Sequence, residues 1–230
     1  MKGVILQPSF LPWRGFFDLI YRSDVFVFLD DVQYDKGSWR NRNRIKTAQG
    51  TSWITVPVKT TGKLGQKIKN TEISQTTPWK KKILDSILFN YRKAPHFGAY
   101  FPSLSRVFEK EWNYLSDLDI SLTKEIIGFL GLERKLVVSS HMEIEAGEKN
   151  ERIINICRRL GIDHYITGPS TKAYVDEKLF LKNEITLEYM TYYYPPYEQL
   201  YGKFEPQVSV IDLLFNKGDE SHRFIWGARS

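Results

Sequence analysis

The chain has 230 residues, of which 42% are hydrophobic, 26% charged and 14% aromatic, enough to bury a core and ordinary for a globular domain. No apolar run approaches the roughly 20 residues of a membrane span, Met1-Lys2-Gly3 leads into a strand where a secretory leader would begin, and the lone Cys157 excludes an internal disulfide framework, so a cytoplasmic setting is expected. The net charge of +6 is uneven: residues 1–100 hold 17 Lys/Arg against 7 Asp/Glu, and residues 101–230 hold 16 against 20, which points to an anionic partner for the first half.

In chain order, Lys2–Leu6 reads as a buried strand, Gly15–Ser23 as a helix, and Val25–Tyr34 as a second apolar strand ending in polar residues. A strand, helix, strand unit this short predicts a parallel pair. Asn43–Val58 reads as a hairpin turning near Ala48–Gly50, and "TTGKLGQKIKN" as an exposed loop. Helices follow from Pro78, with Thr77 as a candidate cap, then in "SLSRVFEKEW" and "DLDISLTKEIIGFLGL", the last stopped by Gly131. "KLVVSS" and "HYITG" read as strands around the helix "KNERIINICRRLGI", whose Cys157 is expected as a buried filler. "ITLEYMTYY" is a further strand, and "VSVIDLLFNKG" a closing helix with Gly218 past its end. The expectation is one α/β domain over 1–230 with a mostly parallel, doubly wound sheet, a β-hairpin, and a central all-helical insertion over about 76–134.

Ligands of open parallel sheets lie off the carboxyl ends of strands, and three polar clusters fall there. The first is Gln7-Pro8 with Pro12 and Gly15 at a helix start, where free backbone N–H groups would receive a phosphate; the plain alternative is a proline-shaped turn. The second is Leu29–Arg44. Adjacent Asp30 and Asp31, with Gln33, would orient a donor, act as base, or at Asp30 hold Mg²⁺ with substrate phosphates. Lys36 and Trp39 accompany them, and in Arg40-Asn41-Arg42-Asn43-Arg44 an extended backbone puts three guanidiniums on one side, with Asn43 between two of them. A solvated basic edge strand is the competing reading. The third is Gly168-Pro169-Ser170, where Ser170 would cap a helix carrying Lys172, with Tyr174 beyond. Further on, Tyr192–Tyr194, Tyr197, Gln199 and Tyr201 suit a sugar or a base, though an ordinary core lid is the slightly stronger reading, and Asp212 and Asn216 share a helix face.

Other chemistries lack their motifs. The four histidines form no HxxH or HExxH pair, and no GxSxG, Walker lysine or GxGxxG occurs.

Taken together, "ILQPSFLPWRGFFDLI", "DDVQYDKGSWRNRNRI", "WITVPV", "YRKAPHF", "YITGPSTKAYVD", "YPPYEQLYGKFEP" and "SVIDLLFNKG" resemble the WbqC-like proteins from first strand to last helix. That resemblance implies a bacterial or archaeal role in O-antigen or other surface-polysaccharide synthesis, decorating amino sugars with an amino acid or acyl group. The first 35 or so residues are also similar in layout to nucleotidylyltransferases and pantothenate synthetase, which implies a fold that accommodates a nucleotide. Where those families place His-x-Gly-His, this chain has Trp13-Arg14-Gly15-Phe16, so positive charge would come from Arg14, Arg40–Arg44 and Lys172.

The expectation is a transferase placing an amino acid or acyl group on the amine of a nucleotide-linked amino sugar, as in lipopolysaccharide assembly, with Asp30 or Asp31 orienting the amine. One alternative is an adenylate-forming ligase using ATP with Mg²⁺. The other is a non-catalytic module binding a nucleotide-sugar or nucleic acid, nucleic acid being the weaker partner.

Overall fold

The computed structural model describes residues 1–145, 147 and 149–227. Its elements run β1 (Lys2–Leu6), α1 (Arg14–Arg22), β2 (Val25–Phe28), β3 (Arg42–Thr47), β4 (Gly50–Thr55), α2 (Trp79–Tyr91), α3 (Phe97–Glu109), α4 (Leu115–Phe129), β5 (Lys135–Val138), α5 (Lys149–Leu160), β6 (His164–Thr167), α6 (Glu177–Lys182), β7 (Thr186–Tyr189) and α7 (Val210–Lys217). Five parallel strands form one sheet in the order β5-β2-β1-β6-β7, and β3 and β4 form a separate antiparallel hairpin.

Strand alternation builds two cores. Val4, Phe26, Phe28 and Ile166 face a large core shared with α1–α4 and α7, whereas Ile5, Val25, Val27 and Tyr165 face a smaller one completed by α5 and α6. Both faces of the sheet are therefore covered, and its strands read as continuous apolar runs. The chain walks outward from β1 through β2 to β5, then returns to the other side of β1 for β6. The strand order reverses between β1 and β6, and in such sheets a crevice opens there.

Several boundaries move. The second strand ends at Phe28, not Tyr34, because the chain turns away to pair Asp30, Val32 and Tyr34 with the segment 66–69. Helix α3 begins at Phe97 and runs through Pro102. Thr77 does not cap α2; Pro78 occupies that position without a side-chain bond. Gly131 and Gly218 take φ values of 60° and 55° and end α4 and α7 as expected. No helix among the described residues is long and apolar enough to cross a membrane.

Candidate functional site

A cavity of about 850 Å³ lies over the carboxyl ends of β1, β2 and β6, with Leu6, Leu29 and Thr167 in its lining. Its shape depends on the turn after β1. Leu11 holds a left-handed φ of 41°, and Asn43 pins that turn by donating from Nδ2 to the carbonyls of Phe10 (3.2 Å) and Leu11 (2.7 Å). The turn is tied further by Phe10 N–H to the Trp39 carbonyl and by Val210 N–H to the Pro12 carbonyl. Gly15 serves a different neighbour from a phosphate: a Cβ there would lie 2.4 Å from the Trp13 indole, so the glycine makes room for that ring. Trp13 then packs edge-on against Tyr192, at 4.9 Å between centroids, and forms an aromatic wall.

The arginine ladder is split. Arg40 precedes β3 and lines the cavity, donating from Nη1 to Gln7 Oε1 (2.8 Å) and to the Gln7 carbonyl (3.3 Å). Burial pushes its guanidinium pKa down, opposed by Asp119 and Asp35, yet arginine starts high enough to stay cationic. Arg44 also lines the cavity; its Nη2 donates to Gln207 Oε1 at 2.5 Å, and its guanidinium lies 5.6 Å from the Trp39 ring and 5.5 Å from that of Trp53. Arg42 is outside the lining and stacks on Trp53 at 4.4 Å. Arg40, Arg44, Lys149 and Arg152 reach the cavity against one carboxylate, Asp35, so its field favours anions.

Asp30 and Asp31 do not line it. Asp30 is buried: Oδ1 accepts from Ser139 Oγ (3.1 Å) and Ser140 N–H (3.0 Å), and Oδ2 accepts from Ser140 Oγ (2.7 Å). Asp31 Oδ1, 2.7 Å from Ser139 Oγ, shares that one hydroxyl proton with Asp30, and Asp31 pairs with Arg152. These carboxylates fasten the end of β2 to the end of β5, and serine donors occupy the Asp30 oxygens that a Mg²⁺ ion would use. No group of three His, Cys, Asp or Glu suited to a metal occurs among the described residues. Gln33 bridges to Lys67 and, like Lys36, is exposed and outside the lining.

The third cluster is partly displaced as well. Pro169–Ala173 forms a short 3-10 turn with no side-chain cap from Ser170, not a helix with an anion-binding start. Gly168, Ser170 and Tyr174 line the cavity, whereas Lys172 points away onto the Tyr189 ring at 4.8 Å. A Cβ on Gly168 would approach the Tyr192 hydroxyl to 2.9 Å, so this glycine too preserves an aromatic wall. Burial raises the Tyr174 hydroxyl and pushes Tyr192 up to about 12, keeping both as neutral donors.

Tyr197, Gln199, Asp212 and Asn216 lie away from the cavity in a buried network. Asp212 Oδ1 accepts from Tyr197 and from Gln199 Nε2, and Oδ2 from Tyr91, each at 2.8 Å, while Asn216 Nδ2 donates to the Asp212 carbonyl. Lys46 Nζ closes the set onto Gln199 Oε1 (3.0 Å) and the Lys203 carbonyl (2.5 Å).

Of the residues singled out in the sequence, Gln7, Pro12, Trp39, Arg40, Asn43, Arg44, Gly168, Ser170 and Tyr174 come together. Tyr192, one of the tyrosines offered as an aromatic wall, joins them, whereas sequence reasoning passed over Asp35, Lys149, Asn150, Arg152 and Gln207 as cavity residues. The first four were findable by the same rule that located the others: Asp35 follows β2, and Lys149–Arg152 open the crossover helix into β6. Gln207 arrives through irregular chain, which carries no such signal.

The profile of the WbqC-like protein family matches residues 7–224. The uncharacterized protein Rv1507c of Mycobacterium tuberculosis is 42% identical over 226 residues, spanning 97% of each chain. No solved structure matches.

Proposed function

The chain belongs to the WbqC-like protein family, and from that premise we propose that it acts in surface-polysaccharide biosynthesis, binding a nucleotide-linked amino sugar over β1 and β6 and transferring an amino acid or acyl group to its amine. The cavity lining carries this reading: Arg40 and Arg44 stand beside the rings of Trp13, Trp39 and Tyr192. Guanidiniums suit the diphosphate, aromatic faces suit the base and sugar, and about 850 Å³ falls within the range of small-molecule sites. Asp35 replaces Asp30 and Asp31 as the carboxylate in reach of the ligand. The amine nitrogen attacks the donor carbonyl, the donor's leaving group departs with its electron pair, and the amine proton passes to Asp35.

Thermal shift and calorimetry with UDP- and dTDP-linked amino sugars, acyl-CoAs and ATP test the reading. A nucleotide-sugar should stabilise the protein, and Arg44→Ala should weaken its binding about tenfold or more, the worth of a charge-assisted contact. Asp35→Asn should retain binding and lose transfer. Stabilisation by ATP with pyrophosphate release would favour the adenylate-forming alternative, and no response to any nucleotide would sink both.

A further inference from the structure

Arg42 meets an aromatic ring in place of a carboxylate partner. Among the described residues its guanidinium has no hydrogen bond or ion pair; it lies 4.4 Å from the centre of the Trp53 ring, with Nε buried and unpartnered. Strand register places Arg42 opposite Thr55 and Arg44 opposite Trp53, so all four share one hairpin face. Trp39 joins that face, its ring 5.2 Å from Trp53 at a tilt of 38°. The two indoles are 44% and 46% exposed, unusual for rings that could be packed inside. Trp39 also lines the cavity and Arg44 touches both indoles, so the platform continues the cavity outward without a break.

We propose that this face is a second, outer subsite for an anionic pyranose, whose carboxylate is received by the free edge of Arg42 and whose ring lies against Trp39 and Trp53. The inference rests on the reading above and assigns the hairpin to the sugar-bearing partner beyond the nucleotide. Three features select this occupant. A guanidinium held over an indole keeps terminal N–H donors that can form a fork, which matches a carboxylate. Exposed Thr51 and Thr55 flank Trp53 on the same face and add hydroxyl groups on either side of its ring. The field is damped on one side: Lys59 and Lys63 in the next loop are both paired with Glu72, which weakens the kind of continuous basic track a nucleic acid strand follows. The ladder that appears continuous in sequence is thus divided between an inner anion position at Arg40 and Gln7 and an outer one at Arg42.

Tryptophan fluorescence of the full chain, titrated with D-glucuronate, its methyl ester and glucose 6-phosphate, tests the proposal in the presence and absence of a bound nucleotide-sugar. Glucuronate should give a saturable change, and the neutral ester should bind at least about tenfold more weakly. A response to glucose 6-phosphate equal to that to glucuronate would keep the anionic pyranose and replace carboxylate by phosphate as the recognised group. Arg42→Gln should reproduce the loss seen with the ester while leaving nucleotide-sugar affinity within about twofold. Arg42→Lys, which keeps charge and the stacked stem, should retain part of the binding and guards against a folding defect in the glutamine variant. Equal binding of acid and ester, or an unchanged Arg42→Gln, overturns the subsite. So does steeply salt-dependent binding of an oligonucleotide without a saturable glucuronate response. If a nucleotide-sugar binds and glucuronate does not, only the outer subsite fails. If neither binds, the cavity reading fails with it.

Discussion

Two polar regions of this molecule are built from the same residue types and behave in opposite ways. Around Asp212, a lysine, two tyrosines, a glutamine and a carboxylate are buried, and both carboxylate oxygens receive donors at 2.8 Å. Around Arg40 and Arg44, the guanidiniums, aromatic rings and hydroxyls border a cavity, and only some of the guanidinium donors are given to Gln7 and Gln207. Buried polar groups that satisfy one another fix a fold, whereas polar groups left with capacity at a cavity wall are available to a ligand. Residue type does not separate the two regions; satisfaction does.

The largest way to break the contrast is Asp212→Ala. It strands the Tyr91, Tyr197 and Gln199 donors in the core and should cost about 3 kcal/mol or more in chemical denaturation. Ligand affinity of the folded fraction should stay unchanged; a stable variant with lost affinity would move this network into the site.

Gly15→Ala should do the reverse with a smaller stability change. The new methyl displaces the Trp13 indole from 2.4 Å, costing about 1–3 kcal/mol by overpacking, and the cavity wall moves with the ring. Calorimetry should show weakened nucleotide-sugar binding together with the drop in melting temperature.

A third carboxylate sharpens the comparison with the subtlest effect. Asp119 on α4 is 0% exposed, and neither of its oxygens has a hydrogen-bond partner among the described residues. Burial raises its pKa well above 3.8, opposed by Arg40. A raised carboxyl pKa means that the folded state holds a proton the unfolded state releases. Its contribution is therefore fully present below about 3.8, the unfolded value, and is lost as pH rises through the folded value. Asp119→Asn does not titrate, so denaturation across this range should show no gain over the parent at acid pH and a growing gain toward neutrality. A pH-independent difference would mean that Asp119 is satisfied after all.

Much of the fold was legible because its signals are local. The apolar runs of β1 and β2, the alternation around Ala48–Gly50 and the stops at Gly131 and Gly218 each depend on a few neighbouring residues. The parallel sheet and the hairpin followed from those signals and the spacing between them. Part of the cavity lining was legible for a related reason, since residues just past parallel strands gather at the same end of the sheet.

The rest depended on partners far away in sequence. Asp30 and Asp31 look available at a strand end until Ser139 and Ser140 arrive from β5 and Arg152 from α5. Tyr197 and Asp212 look like ligand groups until Tyr91 and Gln199 close around them. The opening turn keeps its place at the crevice, but its glycine answers to Trp13. The sequence by itself determined which segments become strands, helices and turns, because backbone geometry and apolar periodicity act over a few residues. Only the tertiary structure decided which charges remain unspent, because a hydrogen bond is filled by whatever partner the whole fold brings within 3 Å, and no local pattern encodes that.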